Sequence, residues 1–209
     1  MEGIFAVRKP KGMTSHDVVN SIRKKTGVKR VGHGGTLDPM AEGVLVIAVG
    51  RENTKLLDTF VKGKKEYIAE IILGAKTNTY DAEGIIENVN KNIKPDLSEI
   101  IKTIKLFVGN IMQVPPIFSS VKILGKPAHR RVRAGQTVEL EARNVIVYEI
   151  TLLSYDYPSL KLQISTGPGV YIRSIAHDLG EKLGTGAYLN ALTRTKVGDF
   201  TIENAIELE

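Results

Sequence analysis

The 209-residue chain contains no cysteine. That excludes a disulfide framework and any thiolate metal site, and it fits a reducing cytosol. Its four histidines, His16, His33, His129 and His177, are scattered, with no helical pair spaced to share an ion. No apolar run approaches the roughly 18 residues that a membrane span requires. The short apolar stretch after Met1 is cut off by Arg8 and Lys9, so no signal peptide is expected. Several familiar signatures are missing too. Gly32-His33-Gly34-Gly35 is not followed by Gly-Lys-Ser/Thr, so it is no Walker A loop, and Leu37 stands where a dinucleotide fingerprint needs its third glycine. The Gly-x-Ser-x-Gly elbow of serine hydrolases is absent. By elimination, an enzyme built on this chain would use a carboxylate as its reactive group, with no metal and no cofactor.

What is present is an ordinary globular composition, 42% hydrophobic and 25% charged, with a net charge of +6 that is unevenly spread. Residues 1–35 hold eight Lys or Arg against two acids, Glu2 and Asp17, whereas the last nine residues hold three Glu and no basic residue. Arg23, Lys24, Lys25, Lys29 and Arg30 form one basic cluster, Lys62, Lys64 and Lys65 a second, and Arg130, Arg131 and Arg133 a third. A solvated surface explains any one of them; three beside glycine-rich loops favour a polyanion such as nucleic acid.

No repeat, low-complexity tract or linker interrupts the sequence, so one domain over 1–209 is expected. Ile4–Val7 reads as a strand, and Thr14 or Ser15 can cap a helix to about Lys25 with Gly27 as terminator. Val44–Val49 reads as a buried strand, Glu52–Phe60 as a short helix and Lys65–Leu73 as a strand rich in β-branched and aromatic residues. Asp96 and Glu99 make a capping-box pattern for a helix closed by Gly109, followed by a loop at Gln113–Pro116. Further strands are expected at Ser119–Leu124, Val145–Tyr155 and Leu160–Ser165, and a helix at Tyr171–Leu183 ended by Gly184. Strands and helices do not alternate regularly. The pattern predicts an α+β fold, a mixed and largely antiparallel sheet flanked by helices.

Three places could carry chemistry. Asp38 follows the glycines of 32–35, which are expected to form a tight turn, and precedes Pro39, which biases it towards an extended conformation. It is either the cap of a short turn or a reactive carboxylate. Arg173, near the start of a predicted helix after Thr166-Gly167-Pro168-Gly169-Val170-Tyr171, opposes the helix dipole, so it either faces solvent or has an anionic partner, for which Asp38 is one choice. Tyr67, behind Lys64-Lys65-Glu66, is either core or a stacking platform with a phenol available for proton transfer.

Taken together, these segments resemble the TruB family of tRNA pseudouridine synthases. Lys9-Pro10-Lys11-Gly12-Met13-Thr14-Ser15 is similar to its N-terminal signature, and Gly32 to Pro39 with Ala41, Gly43, Val44 and Leu45 to its catalytic motif. Lys65-Glu66-Tyr67 with Leu73, Gly74, Thr77, Thr79, Asp81 and Gly84 resembles its tyrosine strand and the loop after it. Gln113-Val114-Pro115-Pro116 with Ser119 and Lys122 resembles a further segment, and Gly169 to Ser174 with Asp178-Leu179-Gly180 its arginine motif. The likeness runs from about residue 3 to about 206.

The resemblance implies the pseudouridine synthase catalytic fold and isomerisation of the T-loop uridine at tRNA position 55, after that base is flipped out. It implies Asp38 as nucleophile, Tyr67 stacking on the base and helping to remove the C5 proton, and Arg173 paired with Asp38. Lys9, His33, Gly34, Gly35, Thr36, Leu37 and Tyr171 would line or support the substrate site. The implied partner is the T arm of tRNA, with no membrane, no cofactor and no metal, and a monomer acting in the cytoplasm. Bacterial members usually continue into a C-terminal PUA RNA-binding domain, whereas this chain stops at Glu209, so the catalytic domain alone is expected. Thr166-Gly167-Pro168, Val170 and Phe118 depart from the family pattern. A non-catalytic RNA-binding protein or tRNA-folding chaperone using the same basic face is the alternative.

Overall fold

The computed structural model describes residues 2–88, 93–119, 121–123, 126, 127, 131 and 138–208. Along the chain come β1 (Gly3–Lys9), α1 (Ser15–Thr26), β2 (Val31–Gly34), β3 (Glu42–Val49), α2 (Arg51–Lys55), α3 (Leu57–Val61) and β4 (Lys65–Leu73). Next are β5 (Ala75–Thr77), β6 (Ile86–Asn88), α4 (Leu97–Lys105), β7 (Gly109–Gln113), β8 (Lys122–Ile123) and β9 (Lys126–Pro127). β10 (Arg143–Asp156), β11 (Ser159–Thr166), α5 (Ile172–Leu183), β12 (Ala187–Val197), β13 (Phe200–Thr201) and β14 (Ile206–Glu207) follow. They gather into two compact units. One comprises Met1–Ile68, Gln163–Pro168 and Ala191–Glu209; the other comprises Ala69–Leu162 and Gly169–Asn190.

In the first unit the strand order is β14-β1-β3-β12-β4. β1 runs antiparallel to β3, with Gly3 opposite Val49 and Lys9 opposite Gly43. β2 also runs antiparallel to β3, from Val31 opposite Val49 to Gly34 opposite Val46. β12 meets β3 in parallel, Thr193 opposite Glu42 and Arg194 opposite Gly43. The Gly35–Ala41 loop therefore leaves the sheet where β2 stops and β12 takes over. Side chains alternate across β3. Leu45, Ile47 and Val49 pack with Val7, Val31 and the Val18, Val19 and Ile22 face of α1. Val44, Val46 and Ala48 pack with Ala6, Leu57 and Val197 on the opposite face. Cover on both faces is why Val44–Val49 is apolar without interruption.

α1 starts and stops as its local chemistry dictates. Asp17 N–H donates to Thr14 Oγ1 at 3.1 Å and Thr14 N–H donates to the Asp17 carboxylate at 2.9 Å, a complete capping box. Gly27, with φ 71°, closes the other end.

In the second unit the order is β12-β4-β11-β10-β7, with β7 and β10 antiparallel from Gly109 opposite Val147 to Gln113 opposite Arg143. α4 begins with the Asp96–Glu99 box and buries Ile100 and Ile104; α5 buries Ile175, Ala176 and Leu179. Together these features bear out the α+β, largely antiparallel reading.

Several local expectations need correction. Gly32 and Gly34 lie in strand β2, not in a turn; of the four residues 32–35 only Gly35 has a positive φ, 85°. The 52–60 helix is two short helices divided at Leu56. Gly109 opens β7 instead of closing α4, and neither β7 nor β12 was foreseen. Within Ser119–Leu124, only Lys122–Ile123 is strand among the described residues, with Ser120 and Leu124 outside them.

Candidate active site

Asp38 sits in the loop between β2 and β3, and groups from four segments fix that loop. Ser15, the first residue of α1, accepts from Leu37 N–H at 2.9 Å and donates to Leu37 C=O at 3.1 Å. The hydroxyl thus substitutes for a strand partner at Leu37, itself buried. Lys9, at the end of β1, is fully buried and donates from Nζ to the carbonyls of Pro10 (2.9 Å), Met13 (2.6 Å) and Pro39 (3.3 Å). Gly12 N–H adds a bond to the Pro39 carbonyl at 2.8 Å. Ala41 N–H donates to Asp38 C=O at 3.1 Å and closes a tight turn with Pro39 at its second position, where its fixed φ belongs. The backbone at Asp38 is over-determined.

Arg194, from β12, is the fourth support. It is 1% exposed. Its Nε donates to Val44 C=O at 2.8 Å, Nη2 to Gly35 C=O at 3.0 Å and Nη1 to Thr36 C=O at 3.5 Å. A guanidinium so deep needs compensation. Burial pulls its pKa down from the ordinary value, while a hydrogen bond with the Tyr67 phenol and the charge of Asp38 act in the opposite direction. Both candidate groups of this unit, Asp38 and Tyr67, therefore lie within the field of one buried cation.

Tyr67 is 6% exposed and shares a face of β4 with Lys65, which the alternation of that strand turns inwards. Lys65 Nζ donates to Gly63 C=O at 2.8 Å, and burial, with Arg194 nearby, lowers its pKa from 10.5 to about 8. The second basic cluster is therefore divided: Lys62 and Lys64 are exposed and Lys65 is not. In the first cluster Lys24, Lys25, Lys29 and Arg30 are exposed, while Arg23 donates to Val31 C=O at 3.0 Å. Arg130 and Arg133 of the third cluster lie outside the described residues, as does His129.

His33, on β2, is half-buried, and its Nδ1 has no hydrogen-bond partner among the described residues. Burial, then Arg194 and His16, hold its pKa below the ordinary imidazole value, so it is neutral at neutral pH. Gly34 is buried and Thr36 exposed.

Arg173 and Tyr171 belong to the second unit. Arg173 is 4% exposed, which overturns the solvent-facing reading. Nη1 lies 3.3 Å from Asp81 Oδ2, and the guanidinium donates to Thr79 C=O at 3.2 Å and Phe118 C=O at 3.0 Å. The anionic partner expected from the helix-dipole argument is thus present. Asp81 Oδ1 in turn accepts from Thr79 Oγ1 at 2.6 Å and Glu83 N–H at 3.1 Å. Tyr171 caps α5 through its backbone: its N–H donates to Gln113 Oε1 at 2.8 Å, and Gln113 Nε2 donates back to its carbonyl at 3.1 Å.

The family model for "TruB family pseudouridylate synthase (N terminal domain)" matches residues 23–172. The chain belongs to the TruB family. A second model, for the tRNA pseudouridylate synthase B C-terminal domain, matches residues 173–209. The tRNA pseudouridine synthase B of Protochlamydia amoebophila is 48% identical over 206 residues, covering 99% of this chain and 78% of that protein. That of Corynebacterium diphtheriae is 47% identical over 216 residues, covering 99% and 71%. Among solved structures, a Cbf5-Nop10-Gar1 complex matches with 31% identity and a TM-score of 0.77. An H/ACA RNP bound to a substrate RNA containing 2'-deoxyuridine matches with 29% identity and a TM-score of 0.73. Each covers 99% of this chain, which spans about half of those chains, 52% and 51%. The pseudouridine synthase fold expected from the motifs is thereby supported at both levels. Ser15 and Arg194 are the supports of the Asp38 loop that sequence reasoning missed. Only Ser15 had a local signal, its place at a helix start.

Proposed function

We propose that this TruB-family chain is a tRNA pseudouridine synthase acting on the T-loop uridine at position 55. Asp38 is the nucleophile, Tyr67 stacks on the everted base and assists loss of the C5 proton, and Arg173 is the third catalytic group. Lys9, His33, Gly34, Gly35, Thr36, Leu37 and Tyr171 bind or support the substrate. The reaction is an isomerisation. The N1–C1′ glycosidic bond breaks, the uracil turns, a C5–C1′ bond forms, and the proton lost from C5 is balanced by one gained at N1. No electron is transferred to another molecule.

The observation that carries this reading is the fixation of the Asp38 backbone by Lys9, Ser15 and Arg194, the last of which also has Tyr67 as an electrostatic neighbour. A carboxylate held in one geometry is what an attack on a single carbon requires. The exposed Lys24, Lys25, Lys29, Arg30, Lys62 and Lys64 support phosphate contacts with an RNA. The T arm as docking element, action as a monomer and a cytoplasmic setting complete the reading; the absence of cysteine agrees with the last.

Asp38→Asn nearly preserves shape and removes the nucleophile. It is expected to bind a T-arm RNA as the parent does and to form no pseudouridine, with the modified uridine mapped in tRNA. Full turnover by this variant would falsify the nucleophile assignment. Equal binding with no modification by the parent protein itself would instead identify the non-catalytic RNA-binding alternative.

A further inference from the structure

The first unit contains a buried cation, Arg194, to which the family likeness assigns no role. We propose that Arg194 is a positioning residue that locks the Asp38 loop against Tyr67, so that the carboxylate and the phenol address one nucleotide in a fixed relative geometry. The proposal rests on the catalytic reading of Asp38 and Tyr67 given above.

Two features of Arg194 argue for positioning beyond packing. First, its three nitrogens address three carbonyls on two segments: Gly35 and Thr36 at the root of the loop, and Val44 on the strand that follows it. The loop from Thr36 to Val44 is therefore pinned at both ends by one rigid fork. Second, the Tyr67 phenol and the Asp38 carboxylate are both electrostatic neighbours of the same guanidinium, so one fixed group faces both candidate side chains. A lysine could not replace the fork. Its ammonium is a point charge that reaches one carbonyl well and leaves the others short of a donor.

The test uses Arg194→Lys and Arg194→Met in the full chain, with three readouts: thermal melting, affinity for a T-arm RNA, and the single-turnover rate of pseudouridine formation at saturating RNA. Positioning predicts cooperative melting for Arg194→Lys at a lower midpoint, because buried carbonyls lose their donor, with RNA affinity within about threefold but a single-turnover rate lower by about a hundredfold, the scale of a misplaced reacting group. Arg194→Met is expected to be slower still. A parental single-turnover rate in Arg194→Lys overturns the proposal. So does a rate loss matched by an equal loss of affinity, and so does the failure of both variants to melt cooperatively, which makes Arg194 a structural residue. Failure of the catalytic reading would look different: Asp38→Asn would be active while Arg194→Lys was slow.

Discussion

Nη1 of Arg173 lies 3.3 Å from Oδ2 of Asp81, and both side chains are almost wholly buried, 5% and 3% exposed. Asp81 also takes hydrogen bonds from Thr79 Oγ1 and Glu83 N–H, while the carbonyl of Thr79 accepts from Arg173. Charge, loop and helix α5 are therefore joined in one network within the second unit. Removing one member of a buried pair leaves the other desolvated and unbalanced. Asp81→Ala is expected to destabilise the protein by about 3–5 kcal/mol, measured as a lower midpoint in urea. An unchanged midpoint would show that Arg173 is neutralised elsewhere.

Removal of the Tyr67 phenol tests the proposed stacking role apart from the proposed proton transfer. Tyr67→Phe keeps the ring on β4 and deletes the phenol oxygen that faces the field of Arg194. RNA affinity should hold while the single-turnover rate falls by about a hundredfold, within the usual range for loss of an acid–base group. If the rate is parental, the phenol has no part in moving the C5 proton.

How far these groups could be read from the sequence depended on whether their partners are near in the chain. Thr14 with Asp17, Asp96 with Glu99, and the terminators Gly27 and Gly184 act across one helical turn, and each was legible before any coordinates. Lys65–Leu73 is rich in β-branched and aromatic residues, a local signal that marked the strand to the residue. Arg194 lies 150 to 159 positions from the carbonyls that bury it, and a lone Arg in Leu-Thr-Arg-Thr-Lys looks like solvent-facing charge. The strand that carries it was missed for a related reason. Ala187–Val197 is buried in an irregular pattern set by neighbours, so no period of two shows in its residues. Gly32 and Gly34 misled in the other direction, because pairing with Ala48 and Val46 outweighs the freedom of glycine to turn.

Lys65 gives the folded state a pH dependence of known sign. Its folded pKa is about 8 against an ordinary 10.5, because burial disfavours the ammonium. Between those two values the unfolded chain binds more protons than the folded one, so this lysine's contribution to stability rises with pH across the window and is flat below about pH 8. Lys65→Met should remove that rise. The check is the difference in urea midpoint between parent and variant, measured at intervals from pH 7 to above pH 10; a constant difference would mean that Lys65 does not titrate in this window.

Two glycines with similar backbone angles allow close approach to be separated from conformational strain. Gly12 has φ 89° and Gly43 has φ 105°, both in the region L-residues avoid. A Cβ on Gly12 would meet nothing within 4 Å, whereas one on Gly43 would overlap the backbone of Arg194. Gly12→Ala should therefore cost only the backbone term, about 1–3 kcal/mol. Gly43→Ala carries that same term and must also push β12 off β3 at the Thr193–Glu42 and Arg194–Gly43 pairs, which withdraws Arg194 from Gly35, Thr36 and Val44. The alanine at 43 is expected to lower stability well beyond the alanine at 12, and to slow pseudouridine formation in whatever fraction stays folded. Comparable melting temperatures for the two variants would mean that the β3–β12 approach relaxes without cost, and that Arg194 tolerates displacement.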